Sequence, residues 1–287
     1  MELYNPSVIR AIKKKYGFQF SKSLGQNFLT SKAVVDGIVE AAGIGPDDLV
    51  IEIGPGIGVL TSAAAEAAGK VVCIELDRKM IEVLADTLAG YGNVKVIEGN
   101  VLKTDLARLI EEEKGELTGV KVIGNLPYYI TTGIIMKLLE ERIPAGSITI
   151  MMQKEVAERV AADPGSRIYG ALSVAVQYYC TVHTALEVPK ENFMPQPKVD
   201  STVLRLDLRK EPAVHAEDED MFFRCVKAGF GQRRKTLTNS LKATGFNAEQ
   251  IAEALASAGV DQKRRAETLS LEDFANIANA FSAKRVN

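Results

Sequence analysis

Residues 48–69 read DLVIEIGPGIGVLTSAAAEAAG. A short Val/Ile run with an acid near its end meets three glycines at alternate positions, and a small-residue helical pattern follows. The run is too short for a buried helix and too rich in β-branched residues for a loop, so it predicts a strand. Glycines at 54, 56 and 58 let the backbone turn sharply and approach a ligand with no Cβ in the way. The unit recurs. KVVCIEL (70–76), VKVIEGN (94–100), VKVIGNL (120–126) and SITIMMQ (147–153) read as further strands. Helical patterns stand between and after them at 59–69, 78–92, 106–115 and 131–142, the last with Thr131 or Thr132 available as N-cap. Strands alternating with helices build βαβ units and a mostly parallel, doubly wound α/β sheet, whose ligands bind at the carboxyl ends of the strands.

Further along, 171–180 is helix-like, and TVHTALEVP (181–189) and STVLRLDL (201–208) are strand-like, joined by KENFMPQPKVD. The polar, proline-containing stretch 210–220 is the best linker candidate, and the pattern beyond it is helical. This divides the chain into residues 1–209, carrying the sheet, and a small helical domain, 210–287.

Of 287 residues, 46% are hydrophobic and 25% charged, ordinary for a water-soluble globular chain. No apolar run approaches a membrane span and no secretory leader pattern opens the chain, so a cytoplasmic address and no membrane partner are expected. Cys73, Cys180 and Cys225 are scattered without CxxC spacing, and His183 and His215 are the only histidines. Neither a disulfide framework nor a metal site is expected. The net charge of −2 hides an asymmetry. Residues 1–32 hold six Lys/Arg and one acid, 33–120 hold seven against sixteen acids, and 221–243 hold six and none. Basic ends around an acidic middle suggest a polyanion held at the flanks; solvated helix faces would give the same composition.

The glycine turn departs from the nicotinamide fingerprint, since position 59 is Val59 where G-x-G-x-x-G needs its third glycine. A strand acid followed by G-x-G-x-G is the pattern of S-adenosylmethionine enzymes; a purely structural turn is the competing reading. Glu75 ends the second strand about twenty residues on, where a carboxylate can accept both ribose hydroxyls of a nucleoside. Asn100, at the end of the third, either accepts from an adenine amino group or simply forms a turn. Gln26 and Asn27, in a basic segment upstream, are candidates to close over the ligand.

The fourth strand ends in GNLPYY (124–129). Proline cannot continue a ladder, so the strand stops with a side-chain amide, a rigid backbone and aromatic rings together. That set suits methyl transfer to the exocyclic amine of a base. The lone pair of such a nitrogen is delocalised into its ring. Two acceptors, the Asn125 side-chain oxygen and a carbonyl of Leu126 or Pro127, would hold both N–H groups and favour a pyramidal nitrogen. Tyr128 offers a face on which a flipped base can stack. Phe193, in a proline-bracketed loop, either faces the other side of that base or packs in the core. Tyr129 is expected to pack in the core.

Seven segments in this order, SLGQNFL, IEIGPGIGVLT, IELD, GNLPYYIT, FMPQPKVDSTVLRL, FGQRRKTLTNSL and RAETLSLEDF, resemble the bacterial small-subunit ribosomal RNA adenine dimethyltransferases, the family associated with kasugamycin sensitivity. The resemblance covers nearly the whole chain. It implies a Rossmann-like class I methyltransferase sheet and a C-terminal RNA-binding domain. The implied reaction places two methyl groups on N6 of each of two adjacent adenosines near the 3′ end of 16S rRNA, within an immature 30S subunit. S-adenosylmethionine is the implied donor, with no metal, and the enzyme is expected to be a monomer. By position in the motifs, Asn27, Leu29, Gly54, Glu75, Asn100 and Asn125 are implied cofactor contacts, with Gly56 and Gln26 beside them; Asn100 stands where the family usually has Asp. Arg233, Arg234 and Lys235, with a second cluster at 263–265, would neutralise RNA phosphates. Two rivals remain: a 23S rRNA adenine methyltransferase of the macrolide-resistance type, and a non-catalytic ribosome-assembly factor on the same fold.

Overall fold

A computed structural model of the chain describes residues 1–20 and 26–285; Ser23 to Gly25 of the SLGQNFL segment therefore lie outside the described residues. Seven strands form one sheet: β1 (Asp48–Ile53), β2 (Lys70–Glu75), β3 (Val94–Glu98), β4 (Gly119–Asn125), β5 (Ser147–Gln153), β6 (Cys180–Val188) and β7 (Ser201–Leu208). Their spatial order is β3-β2-β1-β4-β5-β7-β6. The β1/β2, β2/β3, β1/β4 and β4/β5 pairs are parallel, and β7 runs antiparallel to β5. Every β1 residue from Leu49 to Ile53 is buried, which is why this strand reads as a continuous apolar run rather than an alternating one.

The helices are α1 (Pro6–Tyr16), α2 (Lys32–Ala42), α3 (Val59–Ala67), α4 (Arg78–Thr87), α5 (Leu106–Lys114), α6 (Thr131–Glu140), α7 (Lys154–Val160), α8 (Ala171–Tyr179), α9 (Glu219–Gly231), α10 (Leu237–Ser240), α11 (Ala248–Ser257) and α12 (Leu271–Arg285). Several starts are capped by side chains: Ser31 accepts from Val34 N–H, Asp77 from Lys79 N–H and Asp105 from Arg108 N–H. At α6 the cap differs from expectation. The flanking residue is Ile130, and Thr131, already inside the helix, donates its hydroxyl to the Pro127 carbonyl at 3.0 Å. The carbonyl freed by the proline turn thus takes a side-chain donor that would otherwise have served as a cap.

Chain order reverses between β1 and β4. On one side the path runs outward through β2 and β3; on the other it runs through β4 and β5. This is a topological switch point, and a crevice opens outside the carboxyl ends of the strands that flank it. Gly54, Glu75, Asn100 and Asn125 follow or end those strands.

The chain divides into two compact units, 1–157 with 182–208, and 158–181 with 209–287. Composition placed all of 1–209 with the sheet, whereas residues 158–181 join the C-terminal helices. The reason is aromatic packing. Tyr178 stacks on Phe222 at 4.6 Å between ring centroids and Tyr179 on Phe223 at 5.7 Å. Both phenols donate to Glu219, at 3.2 and 2.7 Å. A helix read as part of the sheet domain is thus held by α9. Cys73, Cys180 and Cys225 are all buried.

Candidate functional site

A cleft of about 950 Å³ of open space lies at the switch point. Gln26, Asn27, Leu29, Gly54, Gly56, Glu75, Asn100, Asn125 and Pro127, nine residues spread over a hundred positions, all line it. The glycine turn forms its floor. Gly54 sits at φ +69° with no heavy atom within 4 Å of where a Cβ would stand, so the open space begins at its backbone. Gly56 sits at φ +60°, and a Cβ there would meet the Phe28 ring at 2.8 Å. The first glycine therefore faces the cleft and the second faces protein.

Glu75 is 8% exposed and collects three backbone donors: Leu76 and Asp77 N–H on one oxygen, both at 2.8 Å, and Gly56 N–H on the other at 3.3 Å. Burial pushes its carboxyl up, and these donors pull it back. The long bond to Gly56 leaves that oxygen loosely held at the edge of the glycine turn, suited to a ribose diol. Gln26 Nε2 donates to Asp77 at 3.0 Å, so the upstream segment is tied to the same strand end.

Asn100 caps a short 3-10 turn, its side-chain oxygen accepting from Leu102 N–H at 3.0 Å. The turn-forming reading therefore describes this residue, although a carbonyl oxygen has a second lone pair and Asn100 lines the cleft.

At the end of β4, Asn125 Nδ2 donates to the Asn27 carbonyl at 2.9 Å. A carbonyl can only accept, so the amide nitrogen is the end turned to Asn27 and the oxygen is the end left to accept. Leu126 N–H donates to Met151 O at 3.2 Å. The Pro127 carbonyl accepts twice, from Ile130 N–H at 3.2 Å and from the Thr131 hydroxyl at 3.0 Å, which uses both lone pairs. No such bond is made to the Leu126 carbonyl among the described residues. Of the two backbone acceptors considered from sequence, Leu126 is the one available.

The aromatic residues fall differently from expectation. Tyr128 is half-buried, its hydroxyl 2.8 Å from Ser201 Oγ at the start of β7. Burial raises this phenol, so it stays protonated at neutral pH. Phe193, for which the sequence leaves base contact and core packing both open, is 4% exposed and pairs with Leu29 in a short antiparallel ladder. Its ring packs in the core, and through the ladder it steadies cleft-lining Leu29. Tyr129, expected in the core, is 59% exposed and lines the cleft. The strand ends at Asn125, so strand alternation no longer governs the residues that follow it.

One cleft residue escaped sequence reasoning, and the strand acid of the glycine motif, Glu52, also lies at the cleft. Leu76 directly follows Glu75 and is 53% exposed, an apolar side chain suited to flank a planar base. Its position after a strand-end acid was the available signal. Glu52, 1% exposed in β1, lies beside Cys73 Sγ at 3.7 Å. Desolvation pushes its carboxyl up to about 7 against hydrogen bonds from Thr61 and Cys73.

In the second unit, Arg233 Nη2 donates to the carbonyls of Arg167 and Tyr169, at 2.8 and 2.9 Å, so this cation is a structural clasp. Arg234 and Lys235 are exposed and without an ion-pair partner among the described residues. Leu237 N–H donates to Arg264 O at 2.9 Å, which brings this stretch alongside Lys263 and Arg265, both exposed.

A doubly wound sheet with a glycine turn, a ribose-directed acid and an Asn-Leu-Pro-Tyr strand end defines an S-adenosylmethionine-dependent methyltransferase of the class I fold. The chain belongs to the ribosomal RNA adenine dimethylase family, whose model matches residues 17–283. It is 51% identical over 286 residues to the ribosomal RNA small subunit methyltransferase A of Alkaliphilus metalliredigens, covering 99% of each chain. To the enzyme of that name from Geobacillus thermodenitrificans it is 50% identical over 284 residues, 98% of this chain and 97% of the other. Among solved structures, a dimethyladenosine transferase from Plasmodium falciparum matches with TM-score 0.77 at 27% identity, covering 90% of this chain and 98% of that one. The 23S rRNA methyltransferase ErmE matches with TM-score 0.69 at 26% identity, covering 89% and 100%.

Proposed function

We propose that the chain transfers methyl groups from S-adenosylmethionine to N6 of two adjacent adenosines near the 3′ end of 16S rRNA, two to each, on a late small-subunit assembly particle. The observation that carries this reading is the pair of acceptors at the end of β4. Asn125 is held by its nitrogen, and the Pro127 carbonyl is already occupied. Asn125 Oδ1 and the Leu126 carbonyl are then the acceptors for the two N–H groups of an adenine amine. Two such bonds favour a pyramidal nitrogen, whose lone pair is freed from the ring to attack.

The donor, when bound, supplies a sulfonium methyl group, so the chain need not generate an electrophile. Its own residues orient and neutralise. Gly54 would admit the cofactor to the backbone, with Gly56 packed against Phe28 beside it, and Glu75 would accept from the ribose hydroxyls. Leu76 and Asn100 would flank the cofactor adenine. Tyr128 supports the target base, its ring orientation set by Ser201. Each transfer makes the amine nitrogen cationic until its proton leaves. Asn125 Oδ1, an acceptor with no proton to give, stabilises that charge. Phe193 enters by fixing Leu29 through their ladder, and base contact is not required of it.

The second unit supplies placement. Arg234 and Lys235, with Lys263 and Arg265, offer cations for phosphates without reading sequence. The relatives of about 50% identity over almost their full length favour the small-subunit substrate over 23S rRNA. Among the described residues no helix is long and apolar enough to cross a membrane; we infer a cytoplasmic enzyme that acts as a monomer. The test incubates the protein with labelled S-adenosylmethionine and unmethylated 30S or 50S particles and maps the label. Dimethyladenosine at adjacent positions of 16S rRNA is expected; label confined to 23S rRNA would establish the rival reading, and none on either particle would point to a pure assembly factor.

A further inference from the structure

We propose that Tyr129 is a specificity residue that receives the nucleobase next to the target adenine, replacing the stacking partner that the target's departure removes. This rests on the function proposed above.

Tyr129 is anomalous within the molecule. All eight tyrosines are described. Tyr4 donates to Glu2, Tyr91 to Glu66, Tyr178 and Tyr179 to Glu219, and Tyr128 pairs with Ser201. Tyr16 lies under two lysines and Tyr169 packs edge-on against Phe230. Tyr129 alone has neither a hydrogen bond nor a ring partner, and it is the one aromatic side chain counted among the exposed large apolar groups. Its backbone is not loose. The turn before it is closed by the double bond to the Pro127 carbonyl, and α6 begins two residues later. A ring held by a fixed backbone, exposed and placed at a ligand cleft has the attributes of a stacking platform.

The occupant follows from the neighbouring ring. A target adenine that enters the Asn125 site leaves its stack, and the base beside it loses one stacking neighbour. Tyr128 is committed to the target, with its hydroxyl anchored on Ser201. Tyr129 is the next residue along the chain, and it is open to solvent at the edge of the same cleft. Single-stranded recognition relies on such platforms because every base has a π-face. Consecutive rings, one anchored and one open, suit a substrate whose two modified adenosines are also consecutive.

The experiment compares wild type, Tyr129→Phe and Tyr129→Ala on 30S particles reconstituted with 16S rRNA whose hairpin carries the two adenosines, and on particles whose hairpin has an abasic residue in place of the neighbouring base. Cofactor affinity without RNA is measured by calorimetry. On the intact hairpin, Tyr129→Ala is expected to lower kcat/KM about tenfold, mainly through KM, and Tyr129→Phe to retain most of it. Cofactor affinity should stay within about twofold of wild type in both variants. On the abasic hairpin the three proteins should converge, because the partner of the ring is gone. A fall in cofactor affinity equal to the fall in kcat/KM would overturn the proposal and make Tyr129 a wall of the cofactor site. An alanine defect of equal size on both hairpins would also overturn it. Failure of wild type itself to methylate the particles with the intact hairpin would instead remove the underlying function.

Discussion

Asn125 joins two parts of the chain that are 98 residues apart, because its amide nitrogen is spent on Asn27. The oxygen is thereby aimed without a hinge, and catalysis by orientation depends on such fixed acceptors. Asn125→Ala is expected to lower methyl transfer by at least about a thousandfold, the scale on which loss of an oriented polar group acts, while RNA affinity changes less than about threefold. Filter binding and single-turnover kinetics on the same particle check this, and parallel losses would contradict the assignment. Glu52 makes a different contribution. Its carboxyl is pushed from 4.5 up to about 7 by burial. The folded state therefore holds a proton that the unfolded chain has lost, and the group reduces stability as pH rises from 4.5 through 7. Glu52→Gln removes this titration, so the variant should be more stable than wild type at pH 8 by on the order of 1–3 kcal/mol, with the gain shrinking toward pH 5. Urea melts across that range test it; a gain independent of pH would assign the effect to packing.

At the level of elements, the turn between β1 and α3 separates two uses of glycine. Gly54 and Gly56 share a left-handed backbone, which costs a Cβ-bearing residue roughly 1–2 kcal/mol at either place. Only Gly56 also meets a neighbour, the Phe28 ring. Gly56→Ala is expected to lose the larger amount of stability, about 2–3 kcal/mol, because strain and overpacking add. Gly54→Ala should lose less stability and more cofactor affinity, since its Cβ would stand in the cleft. Thermal melts with and without S-adenosylmethionine separate the two. The strands, their order of appearance and the site at their carboxyl ends were legible in the Val/Ile runs and in the strand-end residues, because both are local. The α6 cap and the direction of Tyr129 were not legible. Each depends on a proline turn whose carbonyl is shared between Ile130 and Thr131, and nothing in residue type announces that sharing.

For the whole molecule, the basic clusters at 233–235 and 263–265 are adjacent through the Leu237–Arg264 bond, and their cations divide in role. Arg234→Gln with Lys235→Gln should weaken RNA binding and reduce the slope of log K against log salt by about 1.5–2. Arg233→Gln, which frees the carbonyls of Arg167 and Tyr169, should leave that slope nearly unchanged and lower the melting temperature. A slope change from Arg233→Gln matching that of the double variant would return Arg233 to the RNA surface.

The order of the two compact units has the same lesson. Composition marked residues 210–220 as a linker because the stretch is polar and interrupted by proline. It did not reveal that 158–181 packs with α9, because an aromatic helix looks alike whichever core receives it. By itself, the sequence determined the α/β class, the cofactor-directed turn, the acid at the end of β2 and the Asn-Leu-Pro-Tyr strand end, all of which are encoded in short spacings. Only the tertiary structure decided which carbonyl remains available, which arginine is a clasp, that Phe193 is buried and that Tyr129 is open. Those outcomes depend on hydrogen bonds and packing between residues distant in the chain, where each donor, acceptor or ring face can be used only once.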